Sequence, residues 1–160
     1  MMGNFLGATV ENIDEILFYE NNKIKEIHSS EIEQSMIRWN SRWRQESLEH
    51  YLKLGWSFIL RDNEVSNPHS TDGVLLGYFL AQPLLFLDGQ TQSLWIEHIS
   101  YINLSARDQL CEFAYKLSRE KHFQKVYFPS QGSVLNSVNI LKATPWIPEV
   151  VQVFTTKVST

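Results

Sequence analysis

The sequence predicts an α/β protein built on one mixed sheet, and three observations carry that reading. Residues 93–129 run as a strand (94–101), a tight polar turn (102–105), a helix (106–122) and a second strand (125–128). This is the βαβ grammar, which joins two parallel strands by a right-handed crossover. Ahead of it, Asp88-Gly89 separates two apolar runs as a hairpin turn does, so antiparallel strands precede the crossover. The 160 residues, with five Trp, six Tyr and nine Phe among them, suit a single domain, 1–160, with its own core.

Taken in order, residues 3–15 carry no period and read as an irregular lead-in. Residues 16–19 and 23–27 flank Glu20-Asn21-Asn22, where Asn tolerates the positive φ of a tight turn, so residues 1–22 are expected to hold a lead-in or an extra hairpin strand. Ser30 followed by Glu33 has the capping-box spacing, and Ile32, Met36, Trp39 and Trp43 recur on one helical face. A second helical piece, 45–54, buries Leu48, Tyr51 and Leu52 and stops at Gly55. Residues 56–61 and 73–82 then read as strands around a polar loop, 62–72. Pro83 cannot donate to a ladder and marks a bulge or a break before 84–87. After the βαβ unit, Pro129-Ser130 opens a shorter helix with Val134, Leu135, Val138 and Leu141 inward, Thr144-Pro145 ends it, and 150–158 is a terminal strand. The predicted order is β-α-α-β-β-β-α-β-α-β.

The helix at 106–122 is the most strongly patterned element. Ala106, Leu110, Phe113, Ala114 and Leu117 fall on one side, with Arg107, Asp108, Glu112, Lys116, Arg119 and Glu120 on the other. Ser105 is placed as its N-cap. A strand running into a helix N-terminus gathers free backbone N–H groups, so the junction from Tyr101 to Arg107 is a natural anion site for a phosphate.

Bulk properties narrow the classes. A net charge of −4 argues against nucleic acid as the partner. Cys111 is the only cysteine, which excludes an internal disulfide and suits a reducing compartment; its place beside Leu110 and Ala114 makes it a packing residue. There is no secretory pattern at the N-terminus and no apolar run of membrane-spanning length, so a cytoplasmic protein without a membrane partner is expected. The five histidines are scattered without cysteine partners, and no metal site is expected. No Gly-x-Ser-x-Gly turn supports a serine nucleophile.

The element order, with Gly73-Val-Leu-Leu-Gly77-Tyr78 as a third strand and Leu94-Trp-Ile-Glu-His-Ile-Ser-Tyr101 as a fourth, resembles the GCN5-related N-acetyltransferases from about Lys23 onward. The resemblance implies fourth and fifth strands that splay apart around the pantetheine arm of acetyl-CoA or another acyl-CoA. Backbone amides of Ile99 and Tyr101 would hold that arm, and Ser105, Ala106 and Arg107 at the helix start would hold the phosphates. It implies transfer of an acetyl or longer acyl group to an amine, on a small molecule or a protein, by direct attack. Two departures stand out. The family's glycine-rich phosphate loop corresponds to Ile102-Asn103-Leu104-Ser105-Ala106-Arg107, which has no glycine, and the last helix has no tyrosine to protonate the leaving thiolate. A donor carried on a protein would suit the altered loop.

Glu97 is the candidate base, since acyl transfer needs a neutral amine; the alternative is a solvated acid paired with a neighbouring Lys or Arg. His98 is read as facing away from Glu97, by strand alternation, and as a core histidine. Tyr127 and Tyr101 are candidate proton donors or edge aromatics. Asn136 and Asn139 line the thioester end or an exposed helix face. Trp39 and Trp43 are core aromatics or an acceptor-side wall. The rival reading is a non-catalytic domain of the same fold that binds a protein partner or small ligand, to be told apart by whether Trp95, Tyr101 or Phe128 plugs the cleft. A nucleic-acid binder is a third.

Overall fold

The computed structural model describes residues 3–62, 74–85, 92–130 and 133–155. Seven strands form one sheet in the order β1-β2-β3-β4-β5-β7-β6. They are β1 (Asn4–Gly7), β2 (Phe58–Arg61), β3 (Leu75–Leu85), β4 (Gln92–Tyr101), β5 (Lys125–Pro129), β6 (Thr144–Ile147) and β7 (Val150–Phe154). All neighbours are antiparallel except β4 and β5, the parallel pair of the βαβ unit. The helices are α1 (Ile13–Ile27), α2 (Glu31–Asn40), α3 (Gln45–Leu54), α4 (Leu104–Glu120) and α5 (Val134–Asn139).

The sheet is buried on both faces. On one, Leu110 and Ala114 of α4 and Val134 and Val138 of α5 pack against Phe79, Leu94, Ile96, Val126 and Phe128. On the other, Ile16 and Ile24 of α1 and Leu48 and Leu52 of α3 cover Ile59, Tyr78 and Leu80. Removing this apolar area from water is the main stabilising term.

Most of the chain runs as its pattern predicts, and α3 ends at Gly55 (φ 79°) in the left-handed conformation that glycine adopts at little cost. Several expectations are corrected. Residues 16–27 form no hairpin: they belong to α1, because Ile16, Glu20 and Ile24 recur every four residues and are buried together. The lead-in instead supplies the first strand, β1, paired with β2. Ser30 does cap the start of α2, yet without a side-chain bond, and Glu33 approaches His28 Nδ1 at 3.4 Å. The helix at 104–120 is capped by Asn103, whose side chain accepts from the Ala106 amide at 2.8 Å, and not by Ser105.

Pro83 does not break its strand, for β3 continues to Leu85. The Ala81 amide points to the β2 side, where it meets Ser57 Oγ at 3.1 Å, and β2 pairs no further than Phe79. Two residues on, the missing N–H of Pro83 therefore faces an edge with no strand, and no ladder bond is lost. Thr144–Ile147 is an edge strand, and α5 ends at Asn139. The Asp88-Gly89 turn, residues 63–72 of the polar loop and residues 156–158 of the terminal strand lie outside the described residues.

Candidate functional site

The apolar positions of β4 change phase in mid-strand. Leu94 and Ile96 face α4, and so do Ile99 and Tyr101, a shift from even to odd numbers. Leu80 pairs with His98 while Ala81 pairs with Ile96, so Glu97 is the extra residue of a β-bulge. Three consequences follow. Glu97 and His98 lie on the same face of the sheet, correcting the alternation expected from sequence. The added twist ends the pairing of β4 with β5, which covers Ser93↔Lys125, Leu94↔Val126 and Trp95↔Tyr127 and then stops. The two strands part beyond that point, and the gap is a cavity of about 180 Å³ lined by Arg42, Glu97, His98, Ile99, Tyr101, Pro129 and Val134.

The edge of β4 along this gap is polar. Ile102 donates its amide to Leu76 O on β3, and ladder bonds alternate, so the N–H groups of Ile99 and Tyr101 are turned to the gap. A second cavity, of about 500 Å³, lies between the end of α2 and the sheet, lined by Met36, Ile37, Asn40, Ser41, Arg42, Trp43 and His98. Arg42 and His98 belong to both.

Charged groups converge at this seam. Arg42 Nη1 binds Glu97 Oε1 at 2.7 Å, and the Trp95 indole donates to Glu97 Oε2 at 2.7 Å. Behind His98, Glu20 is buried, accepts the Tyr78 hydroxyl at 2.8 Å and stands 3.7 Å from His98 Nε2. Burial alone would raise the Glu20 pKa, but the His98 imidazole, the Ser100 hydroxyl and the Lys23 ammonium outweigh it and hold the carboxyl below its ordinary value. Lys23 Nζ donates to Ser100 Oγ at 3.0 Å and to Tyr101 O at 3.2 Å, fastening α1 to the end of β4. Burial pushes the Tyr78, Tyr19 and Tyr51 hydroxyls up; all three are neutral near pH 7.

The remaining expected residues fall as follows. Ala106 is buried with its amide capped by Asn103. The Arg107 amide donates to Asn103 O, and its guanidinium is buried and folded onto Asp108 at 3.0 Å. Among the described residues, the Leu104 and Ser105 amides are those left open at the helix start. Tyr127 is buried in the still-paired part of the strands, 4.4 Å from the Trp146 ring. Asn136 is exposed on α5. Trp95 lies beside Tyr127 and Phe128 sits in the core, so neither plugs the gap; the Tyr101 hydroxyl, however, meets Ser133 Oγ at 2.6 Å across its mouth. Trp43 is a core residue, whereas Trp39 is 71% exposed. Cys111 is buried and its thiol is pushed up to about 12, so it is inert at neutral pH.

Sequence reading missed Glu20, Arg42, Tyr78 and Ser133. The signals were present for one of them: a carboxylate inside the Ile16/Ile24 stripe marks a buried acid. Arg42 and Ser133 sit on connections with no pattern.

No family model matches the chain, and no curated protein sequence matches it. Solved structures do. An acetyltransferase of the GNAT family from Listeria monocytogenes superposes with TM-score 0.61 at 13% identity, covering 95% of this chain and 94% of that one. Arylalkylamine N-acetyltransferase 2 from Aedes aegypti gives 0.61 at 10% identity, over 95% and 96%. The PaiA N-acetyltransferase from Thermoplasma acidophilum, in complex with coenzyme A, gives 0.58 at 14% identity, over 96% and 99%. With the parted parallel strands and the bulge that parts them, these likenesses identify the fold of this chain as that of the GCN5-related N-acetyltransferases.

Proposed function

We propose that this protein is an N-acyltransferase that moves an acetyl or longer acyl group from a thioester to an amine. The observation that carries the reading is the pair of cavities meeting at Arg42 and His98, one along the open edge of β4 and one against α2. A thioester entering along β4 and an amine entering from α2 would meet at that seam. The amine nitrogen attacks the thioester carbonyl carbon, the C–N bond forms, the C–S bond breaks, and the thiolate leaves with its electron pair. Holding both reactants at one seam supplies much of the rate by removing the entropy of their encounter.

The residues suit the donor's arm better than its phosphates. The Ile99 and Tyr101 amides offer the strand-like hydrogen bonds that a pantetheine chain takes. At the helix start the Leu104 and Ser105 amides are the donors available, since Ala106 and Arg107 are engaged. Acyl-CoA held mainly by its arm, or a thioester on a carrier protein, fits this arrangement. On the acceptor side Met36, Ile37 and Trp43 give an apolar wall, and Arg42 is the cation there. No carboxylate is among the lining residues described, so an apolar monoamine is preferred to a polyamine.

Calorimetric titration with acetyl-CoA, followed by thiol release with 2-phenylethylamine, spermidine and a peptide N-terminus, tests this. Micromolar binding with thiol release on phenylethylamine supports it. No heat and no thermal shift at millimolar acetyl-CoA would sink it for free acyl-CoA.

The Tyr101–Ser133 contact favours a second reading, a non-catalytic domain of this fold whose cleft is held shut. Under that reading acetyl-CoA fails to bind, and pulldown recovers a protein partner.

A further inference from the structure

We infer that His98, and not Glu97, is the base that takes the proton from the amine, with Glu20 as its positioning residue. The inference rests on the acyltransferase reading and assigns its proton path.

Glu97 is poorly placed to act as a base. Each of its carboxylate oxygens already accepts a 2.7 Å hydrogen bond, one from Arg42 and one from the Trp95 indole. A proton taken at Oε1 weakens the ion pair with Arg42, and one taken at Oε2 competes with the Trp95 indole. Glu97 also lines the donor cavity alone, whereas the attacking nitrogen arrives from the other one.

His98 faces both cavities. Its Nε2 is buried, has no hydrogen-bond partner among the described residues, and is turned toward Glu20 Oε1 at 3.7 Å. That carboxylate is itself fixed by the Tyr78 hydroxyl. A carboxylate facing Nε2 favours the tautomer with the proton on Nε2, which leaves the Nδ1 lone pair free. The ring keeps 21% of its side-chain surface, and it stands where the bulge delivers it. The proton lost by the ammonium, or by the nitrogen as the C–N bond forms, passes to Nδ1. The imidazolium then faces a buried carboxylate across 3.7 Å, and the gap closes as charge develops. The proton finally goes to the departing thiolate or to solvent, so charge and atoms balance over the turnover. The bulge explains why two consecutive residues of one strand divide the work: Glu97 holds the seam through Arg42, and His98 reaches it.

The charged and titratable groups around the ring are Glu20, Tyr19 and Lys23 on α1, Arg42 after α2, Tyr78 on β3 and Glu97 beside it on β4. Removing the Glu20 charge leaves Lys23 without its facing carboxylate while Arg42 stays paired with Glu97, so the protonated ring loses its stabilising partner.

Imidazole ¹⁵N NMR over a pH series, with His98→Gln to assign the signal and calorimetry on the same samples, tests the assignment without a known acceptor. The expected results are an Nε2–H tautomer for neutral His98, loss of that tautomer preference in Glu20→Gln, and movement of the His98 signal on adding acetyl-CoA. With an accepted amine, kcat/KM in His98→Gln falls on the order of 100-fold and the acidic limb of the pH profile vanishes, while acetyl-CoA affinity changes little. An Nδ1–H tautomer, or acetyl-CoA that binds without touching the His98 signal, overturns the inference and leaves the acyltransferase reading standing. Absence of acetyl-CoA binding in the wild type overturns both. Should Glu20→Gln fail to fold, the tautomer and the His98→Gln profile still decide.

Discussion

Arg42 Nη1 lies 2.7 Å from Glu97 Oε1, and this contact ties the connection after α2 to the bulge of β4. The pair is partly exposed, with 45% and 21% of the side chains accessible, so it contributes less than about 1 kcal/mol to stability. On the acyltransferase reading its effect on selectivity is larger, because Arg42 puts a fixed positive charge at the meeting point of two cavities.

Arg42→Ala removes that charge and frees the Glu97 carboxylate to face incoming ammonium groups. The ratio of kcat/KM for spermidine over 2-phenylethylamine is expected to rise about tenfold, the equivalent of ~1.4 kcal/mol. Glu97→Gln leaves the arginine uncompensated and lowers the same ratio. Steady-state kinetics on the two amines checks both signs; a ratio unmoved by either change would take Arg42 out of the acceptor site.

Gly77 allows β3, β4 and α4 to approach one another. A Cβ there would meet Ser100 O at 2.5 Å and Leu110 Cδ1 at 2.8 Å, and the first of these is backbone and cannot swing away. Gly77→Ala is expected to cost about 2 kcal/mol, in the range for overfilling a packed interior. Urea unfolding should show a lower midpoint with an unchanged slope. A midpoint equal to wild type would mean that the sheet relaxes at this position.

Glu20 makes stability depend on pH on the acid side. Its folded pKa is below the ordinary value of 4.5, so its ionised form stabilises the fold. The contribution is full above that ordinary value and is lost as pH falls through the folded pKa. In Glu20→Gln the stability difference from wild type should therefore be greatest near neutral pH and shrink toward pH 3. Urea midpoints measured along that series check it. The neighbours that set the sign are His98, Ser100 and Lys23, so a gap that widens toward acid would show that the wild-type carboxyl is buried neutral.

How much of this was legible in the sequence depends on whether a residue's role is set by its own neighbours in the chain. The βαβ unit and α3 with its Gly55 stop were legible, because apolar spacing and caps are local. The α1 helix was misread because Glu20-Asn21-Asn22 has turn chemistry, and burial against Tyr78 and Leu48 decided otherwise. The parting of β4 and β5 is half-legible: the change of apolar phase between Ile96 and Ile99 marks a bulge, although strict alternation was assumed. The polar seam was not legible. Arg42, Glu20 and His98 are separated by long stretches of chain, and only the sheet brings them together.

Tyr101 and Ser133 give the sharpest test of how the donor enters. Their hydroxyls meet at 2.6 Å between the end of β4 and the start of α5, across the mouth of the gap. A thioester arm lying along the Ile99 and Tyr101 amides has to pass this tie. If passage requires breaking it, its net worth of about 1 kcal/mol is subtracted from the affinity for acyl-CoA. Tyr101→Phe and Ser133→Ala are then each expected to tighten acetyl-CoA binding roughly fivefold, which is that energy expressed as a ratio. The double variant should gain no more than either single one, because only one bond exists to be lost. Additive gains would point to two separate obstructions, and weaker binding in both would mean that the closed tie helps to hold the donor. Calorimetry on the four proteins separates these outcomes, since each predicts a different sign or a different sum.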